Sequence, residues 1–370
     1  MPTSQYLQDL DRDGFVVIKS IVDSDKLEAL RGVSSKATQL ARDGQWPFVR
    51  TVPKQFPPWD ASQAREHGIW GVQHLMNPEL PGHELFTELY FSETILGIVK
   101  QLLQCQDEHL VMELFNMLVR PEKDFELRWH RDDIPAEASQ EEEMERLGKH
   151  AYHAQYNFAL WEDESLIVVP GSHKRARTST ERDADPFAKS LPNQLIVKLE
   201  PGDIVFYNNN ILHRGAYDNS KERMTLHGSV GHIQGNSLRA RNVLQHGVGS
   251  WVDKCDFQPL LEDDRRRAEE MRQRLIRLGS ESGQAEPNYC RSRARQCRGC
   301  SYGRPNSQGI ASFADASQAG RPGVCRSFNL IKSTNDTAYR SSELSTNLLP
   351  LDSVTSRRKE KKGGLGLHGL

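Results

Sequence analysis

The sequence has no run of about 18 apolar residues, the minimum for a membrane-spanning helix, so no membrane partner is expected. Cysteine is scarce, 6 in 370 residues, too few for a disulfide framework. Cys105 and Cys255 stand alone and read as reduced thiols. Cys290, Cys297, Cys300 and Cys325 fall in the last quarter of the chain; Cys297-Arg298-Gly299-Cys300 has metal-type spacing but no second pair to complete a zinc site. No secretory leader is legible, since Met1-Pro2-Thr3-Ser4 runs straight into a polar helical pattern. The closing His368-Gly369-Leu370 is not a peroxisomal address. A cytoplasmic location is the resulting expectation. The body also lacks positive charge. Residues 285–370 carry 14 Lys and Arg against 6 Asp and Glu, which leaves 34 basic and 44 acidic side chains in the rest. An acidic body argues against a nucleic-acid partner.

What is present suffices for a core: 37% hydrophobic and 8% aromatic residues. A short helix over 4–13 ends at Gly14, and Phe15-Val16-Val17-Ile18 is a β-branched strand. Asp23 to Asp25 supply cap candidates for a helix carrying Leu27, Leu30, Val33, Ala37 and Leu40. Ser92 is placed to cap another that buries Ile95, Ile98, Val99, Leu102 and Leu103. From His109 the period changes to two, with strands expected at 109–119, 125–132, 151–160, 165–169, 195–200, 203–207 and 223–231. Short strands divided by turn residues indicate a barrel or sandwich. Residues 46–81, rich in proline and aromatics, are expected either to wall a substrate pocket or to wrap the core. Residues 137–149 form a charged helical insertion, a lid or a solvated helix. A charged helix over 259–279 carries an Ala268, Met271, Leu275, Leu278 stripe that packs on the body or seams a dimer; monomer and homodimer both stay open. Residues 284–370 are basic, low in complexity and expected to be disordered, and residues 1–283 form the folded domain.

The chemistry concentrates in Trp129-His130-Arg131-Asp132. On a strand, residues two apart share a face, so His130 and Asp132 can reach one metal ion. His213, after the strand Ile204-Val205-Phe206-Tyr207 and the turn Asn208-Asn209-Asn210, is the natural third ligand. Two histidines and a carboxylate on one face of an octahedral ion leave three positions open, an arrangement that suits non-haem iron(II). Two open positions can chelate an oxo-acid and the third can take O₂. The acid's far carboxylate then needs a cation, and Arg223 follows ten residues after His213 with a planar fork for it. Thr225 shares that strand face and could add a hydroxyl.

These residues, with Asp13-Gly14-Phe15-Val16-Val17-Ile18, Val168-Val169-Pro170-Gly171-Ser172-His173 and Leu199-Glu200-Pro201-Gly202-Asp203, resemble the phytanoyl-CoA dioxygenase family over about residues 5–235. The resemblance implies a mostly β fold with flanking α-helices around a double-stranded β-helix, or jelly roll. It implies Fe(II) held by His130, Asp132 and His213, with 2-oxoglutarate on Arg223 and O₂ as second co-substrate. It implies oxidation of a small organic metabolite with release of succinate and CO₂. Asn116 falls where some members place an amide near 2-oxoglutarate. Tyr156 and Asn157 point to opposite strand faces, so one should face the pocket. His173 is expected to be a structural turn residue. His227 and His232 read as packing or hydrogen-bonding residues, and His150 and His153 as surface histidines. One departure stands out. The loop Trp161-Glu162-Asp163-Glu164-Ser165 is short and lacks the family's Asn-Gly, which could distort the barrel beside the site. The alternatives are a hydrolase or isomerase using another divalent metal on the same triad, which would have no need of Arg223, and a non-catalytic jelly-roll binding protein.

Overall fold

A computed structural model describes residues 4–235 and 237–281. The expected basic tail, with Cys297 and Cys300, and the domain limit at 283 lie outside those residues. In chain order the larger elements are α1 (Gln5–Asp13), β1 (Phe15–Ile18), α2 (Ser24–Arg42), β2 (Val49–Thr51), α3 (Ala64–His67), β3 (Ile69–Val72), α4 (His83–Phe91), α5 (Glu93–Leu103), β4 (Leu110–Val119) and β5 (Phe125–Glu126). There follow α6 (Gln140–Leu147), β6 (His153–Ala159), β7 (Leu166–Val168), α7 (Ser179–Asp183), β8 (Leu195–Ile196), β9 (Ile204–Tyr207), β10 (His213–Tyr217), β11 (Met224–His232), α8 (Ser237–Gln245) and α9 (Glu262–Glu281).

Two antiparallel sheets result, a large one in the order β1-β9-β6-β11-β4-β3-β2 and a small one in the order β5-β10-β7-β8. Alternation sorts each central strand of the large sheet into two faces. Phe115 and Met117, Tyr156 and Phe158, Leu226 and Val230 point outward into one core with Leu30 and Ala37 of α2, Tyr90 of α4, Ile95 and Val99 of α5, and Ala268, Met271 and Leu275 of α9. The inner face meets the small sheet. Ala159, Val205 and Tyr207 pack there on Leu166 and Val168, while Trp70 and Leu118 pack on Phe125 and Tyr217. This is the jelly roll with flanking helices that the sequence implied.

Several local expectations change. Ser92 is not a side-chain cap; its hydroxyl donates to the Leu89 carbonyl at 2.7 Å. The segment 46–81 contributes β2 and β3, which extend the large sheet past β4. The expected strand over 125–132 stops at Glu126, and His130 holds its place through an isolated bridge to His213. The insertion helix α6 is neither freely solvated nor loose. Glu143 is fully buried, accepting from the Arg177 backbone at 2.7 Å and from Arg182 at 3.1 Å and pairing with the Arg177 guanidinium.

A bulge in β11 between Gly228 and Val230 frees two backbone groups from the β4 ladder. Tyr90 takes both: its hydroxyl donates to the Ser229 carbonyl at 2.7 Å and accepts from the Glu113 amide at 2.9 Å. Tyr90→Phe strands both in a dry core, so a loss of about 1–3 kcal/mol is expected. Urea unfolding should report it as a lower midpoint at unchanged slope; an unchanged midpoint would count against this role for the hydroxyl.

Candidate metal centre

The inner faces of the two sheets carry the polar residues. His130 and His213 exchange both backbone hydrogen bonds, at 2.9 and 3.0 Å, which brings their rings to 4.3 Å between centroids. Asp132 follows, its amide donating to the Asn209 carbonyl at 2.9 Å. One donor atom from each of His130, Asp132 and His213 lies within 4.8 Å of the others, a group able to hold one metal ion. The nearer Asp132 oxygen is 3.5 Å from His130 Nε2 and 3.7 Å from His213 Nε2.

The orientation is set by the backbone. His130 Nδ1 lies 2.8 Å from the Arg128 carbonyl, and His213 Nδ1 lies 2.8 Å from the Ile211 carbonyl. A carbonyl only accepts, so each Nδ1 carries the proton and each Nε2 lone pair faces Asp132. Burial above all lowers the His213 pKa to about 4, so His213 is neutral at pH 7. Burial alone would raise the Asp132 carboxyl; the two imidazoles beside it and the hydrogen bond from Gln155 outweigh it and hold it below the ordinary range, so Asp132 stays ionised. Neutral imidazole and carboxylate are the forms a metal binds.

Further residues complete the setting, among them Gln155, which the sequence did not single out. Gln155 of β6 donates from Nε2 to the second Asp132 oxygen at 3.1 Å. Arg131 faces away from the centre. It donates to the carbonyls of Ser172 and Arg175, each at 3.0 Å, and to that of Asn210, tying the Pro-Gly-Ser-His turn to the Asn-rich turn before His213. His173 packs against Gly14, and its Nε2 lies 3.0 Å from the Asp11 carbonyl, a turn role as expected. Asn157 faces inward and Tyr156 outward. His227 is inside the barrel, opposite Asn116 in register, with Nδ1 2.8 Å from the Asn157 amide oxygen. His153 is half-buried on the same strand face as Gln155 and Asn157, not a surface residue. Alternation along β6 and β11 was the available signal for His153, Gln155, Tyr156, Asn157 and His227.

Arg223 is buried, and its partner was not expected. The short loop does not distort the barrel. Asp163 bridges to Leu199 and turns its carboxylate inward, accepting from Arg223 Nε at 3.1 Å and from the Thr225 hydroxyl. Its other oxygen accepts from the Ser165 amide at 2.8 Å and hydroxyl at 2.5 Å. The Thr225 hydroxyl is thus committed to Asp163. Burial alone would raise the Asp163 carboxyl, but Arg223 and these hydrogen bonds hold it below the ordinary range. The guanidinium rests on the Tyr217 ring at 4.4 Å, and Nη1 is buried with no hydrogen-bond partner. Asn116 is similar: Oδ1 accepts from the His74 amide at 2.9 Å while Nδ2 is buried and unpartnered. Buried donors left without acceptors mark where an anion or polar ligand belongs. Phe56, from the segment 46–81, stands edge-on to the His130 ring at 5.7 Å, so that segment does wall the centre.

A two-sheet barrel enclosing two imidazoles, a carboxylate and a buried guanidinium with free donors defines the class of non-haem metal-dependent oxygenases. The sequence model of the family described as Phytanoyl-CoA dioxygenase (PhyH) matches residues 10–225. The chain belongs to the phytanoyl-CoA dioxygenase family and is a dioxygenase-type oxidoreductase. No curated protein matches it. Among solved structures it is similar to AviO1 from Streptomyces viridochromogenes, at 16% identity over 61% of this chain and 93% of that one, TM-score 0.43. It is similar to EctD from S. alaskensis, solved with 2-oxoglutarate and 5-hydroxyectoine, at 17% identity over 62% and 76%, TM-score 0.45. It is also similar to HygX from Streptomyces hygroscopicus, solved with nickel and 2-oxoglutarate, at 19% identity over 62% and 87%, TM-score 0.43. Among the described residues no helix is long and apolar enough to cross a membrane.

Proposed function

We propose that the protein is an Fe(II)- and 2-oxoglutarate-dependent dioxygenase that hydroxylates or otherwise oxidises a small organic molecule, with release of succinate and CO₂. The observation that carries this reading is the convergence of His130, Asp132 and His213 within 4.8 Å, with both Nδ1 protons given to carbonyls. Two imidazoles and one carboxylate suit iron(II) and leave coordination positions for a chelating acid and O₂. Bound iron and 2-oxoglutarate would supply the activation of O₂. The chain's own residues position and enclose. Gln155 steadies Asp132. Arg223, with Nε committed to Asp163, offers its remaining N–H groups to the far carboxylate of 2-oxoglutarate, and Asn116 Nδ2 offers a further donor. Phe56 shields His130 from water. The domain that does this includes α9, which completes the outer core with Ala268, Met271 and Leu275.

Anaerobic addition of iron(II) and 2-oxoglutarate tests the reading. A visible charge-transfer band should appear, and admission of O₂ should yield succinate in proportion to 2-oxoglutarate consumed. Absence of a band from protein that retains iron would remove the oxygenase reading and leave a divalent-metal hydrolase or a binding protein.

A further inference from the structure

Arg50 lies on β2, opposite Gly71 of β3, and Gly71 in turn pairs with Leu118 on the inner sheet face. A Cβ at Gly71 would come within 2.9 Å of Arg50 Cδ, so the arginine lies flat across β3 toward the barrel interior. Its guanidinium is boxed by Trp59 at 5.3 Å and Trp70 at 5.0 Å. Both indole N–H groups donate to the Lys54 carbonyl, at 2.8 and 3.1 Å, which makes the box rigid. Among the described residues Arg50 has no carboxylate partner, and its Nε is buried without a hydrogen-bond acceptor. Burial pulls its pKa down, and the nearby Tyr217, Tyr207 and Asp132 offset only part of that. The register of Arg50 through Gly71 to Leu118, on the same strand face as Asn116, places it on the metal-facing side of the barrel.

An unneutralised, partly buried cation costs stability. It persists when a ligand supplies the missing anion. Arg223 already has Asp163 on one edge and a free edge for the co-substrate; Arg50 comes from a different strand and, among the described residues, has aromatic rings but no anion beside it. We propose that Arg50 is the substrate-recognition residue of this enzyme and that its substrate carries a carboxylate or phosphate group, docked on the guanidinium between Trp59 and Trp70. The planar fork takes either oxyanion through two parallel N–H···O bonds. His227 Nδ1 is held by Asn157, so Nε2 is left to accept from a substrate hydroxyl or amine nearer the metal. This inference rests on the oxygenase reading above.

The test uses the full chain, with phenylacetate and phenyl phosphate as probes and phenylacetamide as the uncharged match. In wild-type protein loaded anaerobically with iron(II) and 2-oxoglutarate, one or both anions should shift the visible band and the amide should not. Arg50→Gln should weaken the anion response at least tenfold, Arg50→Lys should recover part of it, and Lys198→Gln on the surface should change nothing. The ratio of the phenylacetate and phenyl phosphate affinities reports which oxyanion is preferred. A parallel arm measures Tm in iron-free protein with 2-oxoglutarate present to occupy Arg223. There the anions should raise Tm in wild type and not in Arg50→Gln, itself at least as stable as wild type. The proposal is overturned if the amide acts as well as the anions, if neither anion acts, or if Arg50→Gln responds like wild type. It is equally overturned if Arg50→Gln weakens 2-oxoglutarate itself as strongly, for then Arg50 anchors the co-substrate. A wild-type protein that forms no band removes the oxygenase reading alone, because the Tm arm still reads the anion site.

Discussion

Asp132→Ala is expected to leave the protein unable to retain iron or form succinate at a measurable rate. Asp132 is the one anionic member of the His130, Asp132, His213 group, held ionised where a dication would sit between it and the two imidazoles. A bound dication covers this carboxylate, and removing one partner of a buried charge pair costs about 3–5 kcal/mol. That corresponds to roughly 10²–10⁴-fold in affinity, at about 1.4 kcal/mol per tenfold. Gln155→Ala provides the graded comparison. Of the ligand group it touches only the second Asp132 oxygen, so a loss of about 10–100-fold is expected from an outer-shell group. Metal analysis after anaerobic loading, with the visible band as second readout, separates the two. Iron retained at wild-type stoichiometry in Asp132→Ala would exclude this group as the metal site.

Asp163→Asn is expected to lower stability by about 3 kcal/mol, because it strands the buried charge of Arg223. For a domain of this size, at about 2–4 °C per kcal/mol, Tm should fall by roughly 10 °C. The loss should be partly reversed by 2-oxoglutarate, whose far carboxylate replaces the missing charge, so the ligand-induced rise in Tm should exceed that of wild type. Arg223→Ala has the opposite pattern: it is destabilised, since Asp163 is now unpaired, and 2-oxoglutarate neither rescues it nor forms the band. The pH dependence follows from the sign of the Asp163 shift. Its folded pKa lies below the unfolded value, so the pair's contribution is fully present above the ordinary carboxylate range of about 3.9. It is lost as pH falls through the folded value, so wild type and Asp163→Asn should converge in acid. An Asp163→Asn protein as stable as wild type at pH 7 would show that solvent reaches Arg223 and compensates its charge.

The legible part of this protein was the part with local periodicity. Phe15–Ile18, the helix after Asp23, β9 and β11 follow from alternation or helical spacing, because each buries one face against the same core. The elements within 46–81 were not legible. The strands β2 and β3 are three and four residues long, and what makes them strands is the pairing of β3 with β4, 40 or more residues away, and of β2 with β3 in turn. The helix α4 begins at His83 with no side-chain cap and carried no start signal. The strand β10, which His213 opens, was read as the end of a turn because its ladder partners are β5 and β7.

By itself the sequence determined the set of candidate ligands, because residue type and spacing decide which side chains can bind a metal: His130, Asp132, His213 and Arg223. The tertiary structure decided the rest. It decided that each histidine turns Nε2 inward, since the carbonyls that hold Nδ1 take their positions from the barrel backbone. It decided that the short loop sends Asp163 to Arg223, and that Arg50, 80 positions before His130, reaches the same interior without a partner of its own. Charges distant in the chain become neighbours only when sheets close around them, and whether a buried charge has a partner is a property of that closure.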